Sequence, residues 1–64
     1  MFEWLREKRL SRNMTQEQLA KEVGISRTMI TELENGNAKP SVKTAKAIAK
    51  VLDFSWTLFF DKEE

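Results

Sequence analysis

The chain has 64 residues, a length that suits one domain, and we expect residues 1–64 to form it. The absence of cysteine and histidine excludes disulfides, thiolate metal sites and the commonest general base, so we expect no metal, no cofactor and no enzymatic activity. Residues 1–52 carry ten Lys and Arg against six Asp and Glu (net +4) and residues 53–64 carry one against four (net −3), an asymmetry that indicates a nucleic-acid-binding face.

The first two segments have the apolar spacing of helices. The pattern predicts a first helix over residues 2–11, after which Asn13 adopts the left-handed conformation that ends helices. Thr15 and Gln18 have the spacing of a capping box, which predicts the start of a second helix. Gly24 ends that helix because it accepts the positive φ of a tight turn.

Three further helices follow. Ser26 is an N-cap for a third helix, which Gly36 closes, and Ser41 is an N-cap for a fourth helix that runs to about Leu52. A short fifth helix is expected over residues 55–60. Five short helices joined by loops of a few residues predict a compact all-α domain.

Residues 16–35 (QEQLAKEVGISRTMITELEN) meet the requirements of a helix-turn-helix. This motif needs a small residue at its fifth position, a turn former at its ninth and apolar residues at five others. The seven positions hold Leu19, Ala20, Val23, Gly24, Ile25, Ile30 and Leu33. The alternative is a plain helical hairpin, which would not account for the polar stripe opposite the apolar face of the third helix. That stripe has the size and chemistry to reach base edges in the major groove of DNA.

The phrases MTQEQLAKEVGIS and ITELENGNAKPS are similar to the phage lambda-type repressor and Cro proteins, the XRE-like helix-turn-helix family. The resemblance covers residues 5–59. It implies a five-helix lambda-repressor-like domain that binds double-stranded DNA as a homodimer on a palindromic operator. Helix 26–35 would lie in the major groove, and the function implied is that of a transcriptional repressor.

The resemblance also implies roles for individual side chains. Arg27, Thr28 and Glu32 would read bases through the hydrogen-bonding groups of the major groove. Arg9 and Glu34 would form a partly buried ion pair that is structural and not catalytic. Contacts to the DNA backbone would come from Gln16, Ser26, Thr31, Asn35, Asn37 and Lys39.

Residues 53–64 combine an aromatic cluster with an acidic end. A domain of this size cannot bury every aromatic ring, and an exposed apolar patch marks an interface. Phe54 and Phe59 are expected to pack under the fourth helix. The dimer surface is assigned to Trp56, Leu58 and Phe60; the alternative is a tail folded back over Phe2 and Trp4.

A second function is open at this point. A protein-interaction module, similar to an antitoxin or anti-repressor, would use the aromatic patch to hold a protein partner. Alanine at Arg27 and Gln16 would then leave activity intact, whereas changes at Trp56 and Phe60 would abolish it. Either protein would be cytoplasmic and without a membrane partner, because the longest apolar run is far too short to span a bilayer and the start does not resemble a signal peptide.

Overall fold

The computed structural model describes residues 2–60, which form four α-helices and one short 3-10 helix and contain no strand. The elements are α1 (Glu3–Ser11), α2 (Gln16–Val23), α3 (Arg27–Asn35), α4 (Val42–Leu52) and the 3-10 helix (Trp56–Phe60). The predicted all-α fold is confirmed. Residues 61–64, the last part of the predicted C-terminal segment 53–64, lie outside the described residues. No helix in the described part of the chain is long and apolar enough to cross a membrane.

The short fifth helix expected over residues 55–60 is present, but it is not an α-helix. The segment Trp56–Phe60 winds as a 3-10 helix, and its first turn closes with the Leu58 N–H donating to the Ser55 carbonyl at 3.0 Å. Five residues are too few to complete two α-helical turns, and tryptophan, threonine and phenylalanine have low α-helix propensity. The short segment therefore adopts the tighter winding.

The boundaries of α2 follow from local hydrogen bonds. The Thr15 hydroxyl accepts from the Gln18 N–H at 3.0 Å, and the Gln18 side-chain oxygen accepts from the Thr15 N–H at 2.8 Å. Gly24 ends α2 with φ +87°. Asn13, in the loop between α1 and α2, has φ +57°. The predicted capping box and both left-handed residues are confirmed.

The boundaries of α3 and α4 also match the sequence. The Ser26 hydroxyl accepts from the Met29 N–H, and the Ser41 hydroxyl accepts from the Thr44 N–H, each at 3.1 Å. Gly36 closes α3 with φ +83°. These contacts satisfy backbone donors that the helix itself leaves unpaired.

All five elements contribute side chains to one apolar core. Within the motif, Val23 and Ile25 are only half-buried but pack against it. Because α2 and α3 share this core, their relative orientation is fixed. The buried cluster consists of Leu5, Leu19, Ala20, Ile30, Leu33, Ala45, Ile48, Leu52 and Phe59.

Four aromatic rings join the two ends of the chain. Phe59 lies 5.3 Å from Phe2 and 5.0 Å from Trp4 between ring centroids, and Phe54 lies 5.3 Å from Trp4. Phe59 is buried in the core, and Phe54 and Phe59 both pack against Trp4 of α1. The segment that contains Phe54 and Phe59 thus folds back on Phe2 and Trp4.

Candidate DNA-binding surface

A buried ion pair joins α1 to α3. Arg9 Nε donates to Glu34 Oε2 at 2.7 Å and Arg9 Nη2 donates to Glu34 Oε1 at 3.2 Å. The two side chains are 7% and 4% exposed. Arg9 Nη1 also donates to the Met14 carbonyl at 2.8 Å, which ties the loop before α2 to the same guanidinium. The Arg9 guanidinium therefore joins α1 both to α3 and to the loop before α2.

The pair extends into a network that includes Gln16 and Thr31. Gln16 Nε2 donates to Glu34 Oε1 at 3.0 Å, and Gln16 Oε1 accepts from the Thr31 hydroxyl at 2.9 Å. We call these four residues the Arg9–Thr31 network. It fixes the orientation of the Gln16 amide at the first position of α2, where helix N–H groups and the helix dipole favour an anion.

The three candidate base-reading residues lie on α3, outside the core. Arg27 and Thr28 are exposed, and Glu32 is half-buried one turn further along. The opposite face of α3 is closed by Ile30 and Leu33, which are fully buried. The helix therefore presents its polar side away from the domain.

The other candidate backbone contacts lie at the two ends of α3. Ser26 is exposed at the N-terminus, where its hydroxyl accepts the helix-capping hydrogen bond. Asn35, Asn37 and Lys39 are exposed at the C-terminus and in the following loop. Thr31, which is also a candidate backbone contact, is half-buried, and its hydroxyl donates to Gln16.

Two residues near this surface were not predicted from the sequence. Arg6 lines a concavity of about 320 Å³ together with Gln16 and Asn35, with Arg9 and Glu34 also in its lining. The spacing of three between Arg6 and Arg9 places them on one side of α1 and was the available signal. Met29, the second residue, is exposed on the first turn of α3, although it is apolar.

The C-terminal patch, defined as Trp56, Leu58 and Phe60, is only partly exposed. Trp56 and Phe60 pack edge to face with ring centroids 5.9 Å apart, and Lys46 Nζ lies 5.1 Å from the Trp56 ring centroid. Trp56 and Leu58 are half-buried, whereas Phe60 is 44% exposed. Val42, also exposed, lies one helical turn before Lys46 on α4.

Two short helices that meet at a glycine turn, with a polar outer face on the second, define a helix-turn-helix DNA-binding protein. Residues 5–59 match the model of the helix-turn-helix family HTH_3, and the chain belongs to that family. It is therefore a DNA-binding regulator of transcription of the XRE-like type that the sequence resembles, and not an enzyme.

Several named proteins are similar to this chain in sequence or in structure. The chain is 46% identical over 61 residues to the uncharacterized HTH-type transcriptional regulator YqaF of Bacillus subtilis, covering 95% of this chain and 80% of YqaF. A solved HTH_3-family transcriptional regulator from Vibrio cholerae superposes with a TM-score of 0.74 at 32% identity, over 88% of this chain and 32% of that one. A chain of the SinR protein/SinI protein complex superposes with a TM-score of 0.83 at 20% identity, over 94% of this chain and 59% of that one, and shows the shared fold.

Proposed function

We propose that this regulator is a repressor that binds a palindromic operator as a homodimer, with helix 26–35 in the major groove. The observation that carries the proposal is the fixed presentation of α3. Its inner face is buried, its first turn is capped by Ser26, and the network holds it against the start of α2. Arg27, Thr28 and Glu32 then project toward base edges without reorganisation of the backbone.

Each base-reading side chain has a complementary group in the major groove. The Arg27 guanidinium pairs with guanine O6 and N7, and the Glu32 carboxylate accepts from the cytosine N4 amino group. Thr28 lies between them on the helix surface and contacts a thymine methyl group or a phosphate. Because the carboxylate is repelled by the DNA backbone, Glu32 also disfavours registers in which it lacks a cytosine.

The residues proposed to contact the DNA backbone differ in the hydrogen-bond donors that they offer to a phosphate. Gln16 donates one Nε2 proton to Glu34, and its second proton has no acceptor among residues 2–60, so it is available to a phosphate. Ser26 accepts a backbone bond and keeps its own hydroxyl proton for a phosphate. Asn35, Asn37 and Lys39 grip the backbone at the other end of α3.

Thr31 contributes in a different way from the direct phosphate contact that the resemblance implied. A threonine hydroxyl has one proton, and two acceptors face that of Thr31: the Arg27 carbonyl oxygen at 3.2 Å and Gln16 Oε1 at 2.9 Å, of which the bond to Gln16 is the shorter. A phosphate oxygen can only accept, so a direct contact would break that bond. We therefore propose that Thr31 orients Gln16 toward the phosphate.

The homodimer is proposed to form through the C-terminal patch. A single recognition helix reads only a few base pairs, and two half-sites about 34 Å apart provide the specificity that a regulator needs. Phe60 is the most exposed aromatic ring of the patch, and a two-fold axis beside it would bury the same residues on both subunits. Repression follows from occupancy of the operator alone, and the site of action is the cytoplasm.

A protein-interaction module is the second candidate function. The exposure of Phe60 favours it, and the SinR structure above is of a complex with a second protein. The two candidates differ in their response to substitutions on the DNA-binding surface. Alanine at Arg27 and Gln16 abolishes the activity of a DNA-binding repressor but leaves the activity of a protein-interaction module intact. Substitution of Trp56 and Phe60 abolishes the activity of the module and weakens the repressor only through its dimer.

Selection from a pool of random duplex DNA tests the proposal. A palindromic product with half-sites one helical turn apart, bound at a stoichiometry of two chains per duplex, is the expected result. An enriched sequence without internal symmetry, bound by one chain, would remove the homodimer from the proposal. Recovery of no enriched sequence would favour the protein-interaction module.

A further inference from the structure

We infer that Met29 is a further base-reading residue and that it contacts the C5-methyl group of a pyrimidine in the major groove. The inference rests on the proposed function, because it requires α3 to lie in the groove. It adds an apolar contact to the polar contacts that Arg27 and Glu32 make.

Met29 has an apolar side chain that is exposed to solvent, and contact with water does not stabilise such a side chain. It is 38% exposed, and it is the one large exposed apolar residue on α3 within residues 2–60. Its backbone is fixed, because its N–H lies 3.1 Å from both the Ser26 hydroxyl and the Ser26 carbonyl oxygen. The side chain therefore starts from a rigid position on the first turn of α3, the part of a recognition helix that contacts base edges.

Helix geometry places Met29 beside the polar base-reading residues and on a different flank from Arg27. Residues two apart on an α-helix differ by about 200° around the axis, so Arg27 and Met29 lie on opposite flanks with Thr28 between them. The Arg27 flank faces the start of α2, since Arg27 shares a concavity with Gln16. Met29 lies on the other flank, one turn before Glu32. Together, Arg27, Thr28 and Met29 form the first turn of α3.

The major groove offers one apolar group for such a side chain. Among the four bases, only thymine carries a methyl group there, at C5, and 5-methylcytosine carries the same group at the same place. Arg27 and Glu32 cannot recognise a methyl group, because their terminal atoms are charged and hydrated. The flexible thioether of methionine adapts its shape to a small apolar partner. Met29 thus supplies, on its own flank of α3, an apolar contact that Arg27 and Glu32 cannot make.

Replacement of single methyl groups in the DNA tests the inference. The probe is the duplex recovered by selection, in which each thymine of a half-site is replaced in turn by uracil and each cytosine by 5-methylcytosine. Dissociation constants are measured for the wild type, Met29→Ala and Met29→Leu. Leu10→Ala is the matched control, because Leu10 is an exposed aliphatic residue of similar size on α1. Thermal unfolding of each variant verifies that it is folded.

We expect one uracil substitution to weaken wild-type binding about fourfold per half-site, the equivalent of one buried methylene group. Met29→Ala is expected to be insensitive to that substitution, whereas Met29→Leu and Leu10→Ala keep the sensitivity. If 5-methylcytosine instead strengthens binding by the wild type but not by Met29→Ala, the methyl group belongs to a modified cytosine.

Two results would overturn the inference, and they differ from each other. If the wild type binds the selected duplex specifically but no methyl replacement separates it from Met29→Ala, the role of Met29 is wrong and the proposed function stands. If the wild type shows no preference for any duplex, the proposed function itself is wrong and the role of Met29 falls with it.

Discussion

Arg9 and Glu34 lie 25 positions apart in the chain and form a buried ion pair with two hydrogen bonds between the same two side chains. A second ion pair, between Arg12 Nη2 and Asp53 Oδ2, is 3.7 Å long and largely exposed. The two pairs have the same chemistry in opposite surroundings. They therefore provide an internal comparison of how burial changes the value of an ion pair.

Arg9→Ala is expected to lower the free energy of unfolding by about 3–5 kcal/mol, because it leaves the Glu34 carboxylate buried without its partner. For a 64-residue domain this is most of the stability. Arg12→Ala, the control, is expected to cost less than about 1 kcal/mol, because solvent screens the exposed pair. Urea unfolding followed by circular dichroism measures both. Equal losses would show that Arg9 is held no more strongly than a surface arginine.

Gln16 and Thr31 are expected to act as one unit in DNA binding. Gln16→Ala removes the phosphate contact, and Thr31→Val removes only the hydroxyl that orients it. Thr31→Val is therefore expected to weaken binding in the wild type and to have little further effect in Gln16→Ala. A double-mutant cycle on operator affinity measures this coupling. Additive losses would mean that Thr31 contacts DNA on its own.

Gly24 is required for its backbone conformation and not for lack of space. Its φ is +87°, and a Cβ added there would meet no atom within 4 Å. Gly24→Ala is expected to cost about 1–2 kcal/mol through strain alone, and Gly24→Asn less, because asparagine tolerates the left-handed region. Thermal unfolding of the two variants gives the comparison. A loss with asparagine as large as with alanine would contradict the conformational explanation.

Phe59 and Phe60 are adjacent and are expected to have separate roles. Phe59→Ala removes a buried core ring and should cost about 3–5 kcal/mol of stability. Phe60→Ala should leave the monomer nearly as stable, because the ring is 44% exposed, but it should shift the monomer–dimer equilibrium toward monomer. Sedimentation equilibrium and urea unfolding separate the two effects. A Phe60→Ala chain that dimerises like the wild type would place the interface elsewhere.

The sequence alone was sufficient to predict those features of the fold that depend on residues a few positions apart. Capping boxes, serine N-caps and glycine C-caps act over three or four positions, so the limits of α2, α3 and α4 could be predicted from spacing. The winding of the last segment depends on length and packing together, so the sequence predicted a short helix over residues 55–60 but not that Trp56–Phe60 forms a 3-10 helix.

The candidate site was harder to predict, because its contacts join residues that are far apart in the chain. The resemblance implied the Arg9–Glu34 pair, but the bond from Thr31 to Gln16 joins two helices through side-chain rotamers that spacing does not determine. The packing of Phe54 and Phe59 on Phe2 and Trp4 also depends on how the chain ends meet in space. Exposure of Met29 became visible only once the core side of α3 was defined.

The most direct test of the account is the effect of Arg27→Ala on two duplexes, the selected operator and a scrambled duplex of equal composition. Each is titrated at about 50 mM and about 200 mM salt. Because Arg27 is proposed to read a base, the variant should lose about 1–3 kcal/mol of affinity for the operator and far less for the scrambled duplex. Binding to both should weaken at the higher salt concentration. An equal loss on both duplexes would show that Arg27 contacts only the DNA backbone, and would contradict the claim that α3 reads the sequence of the groove.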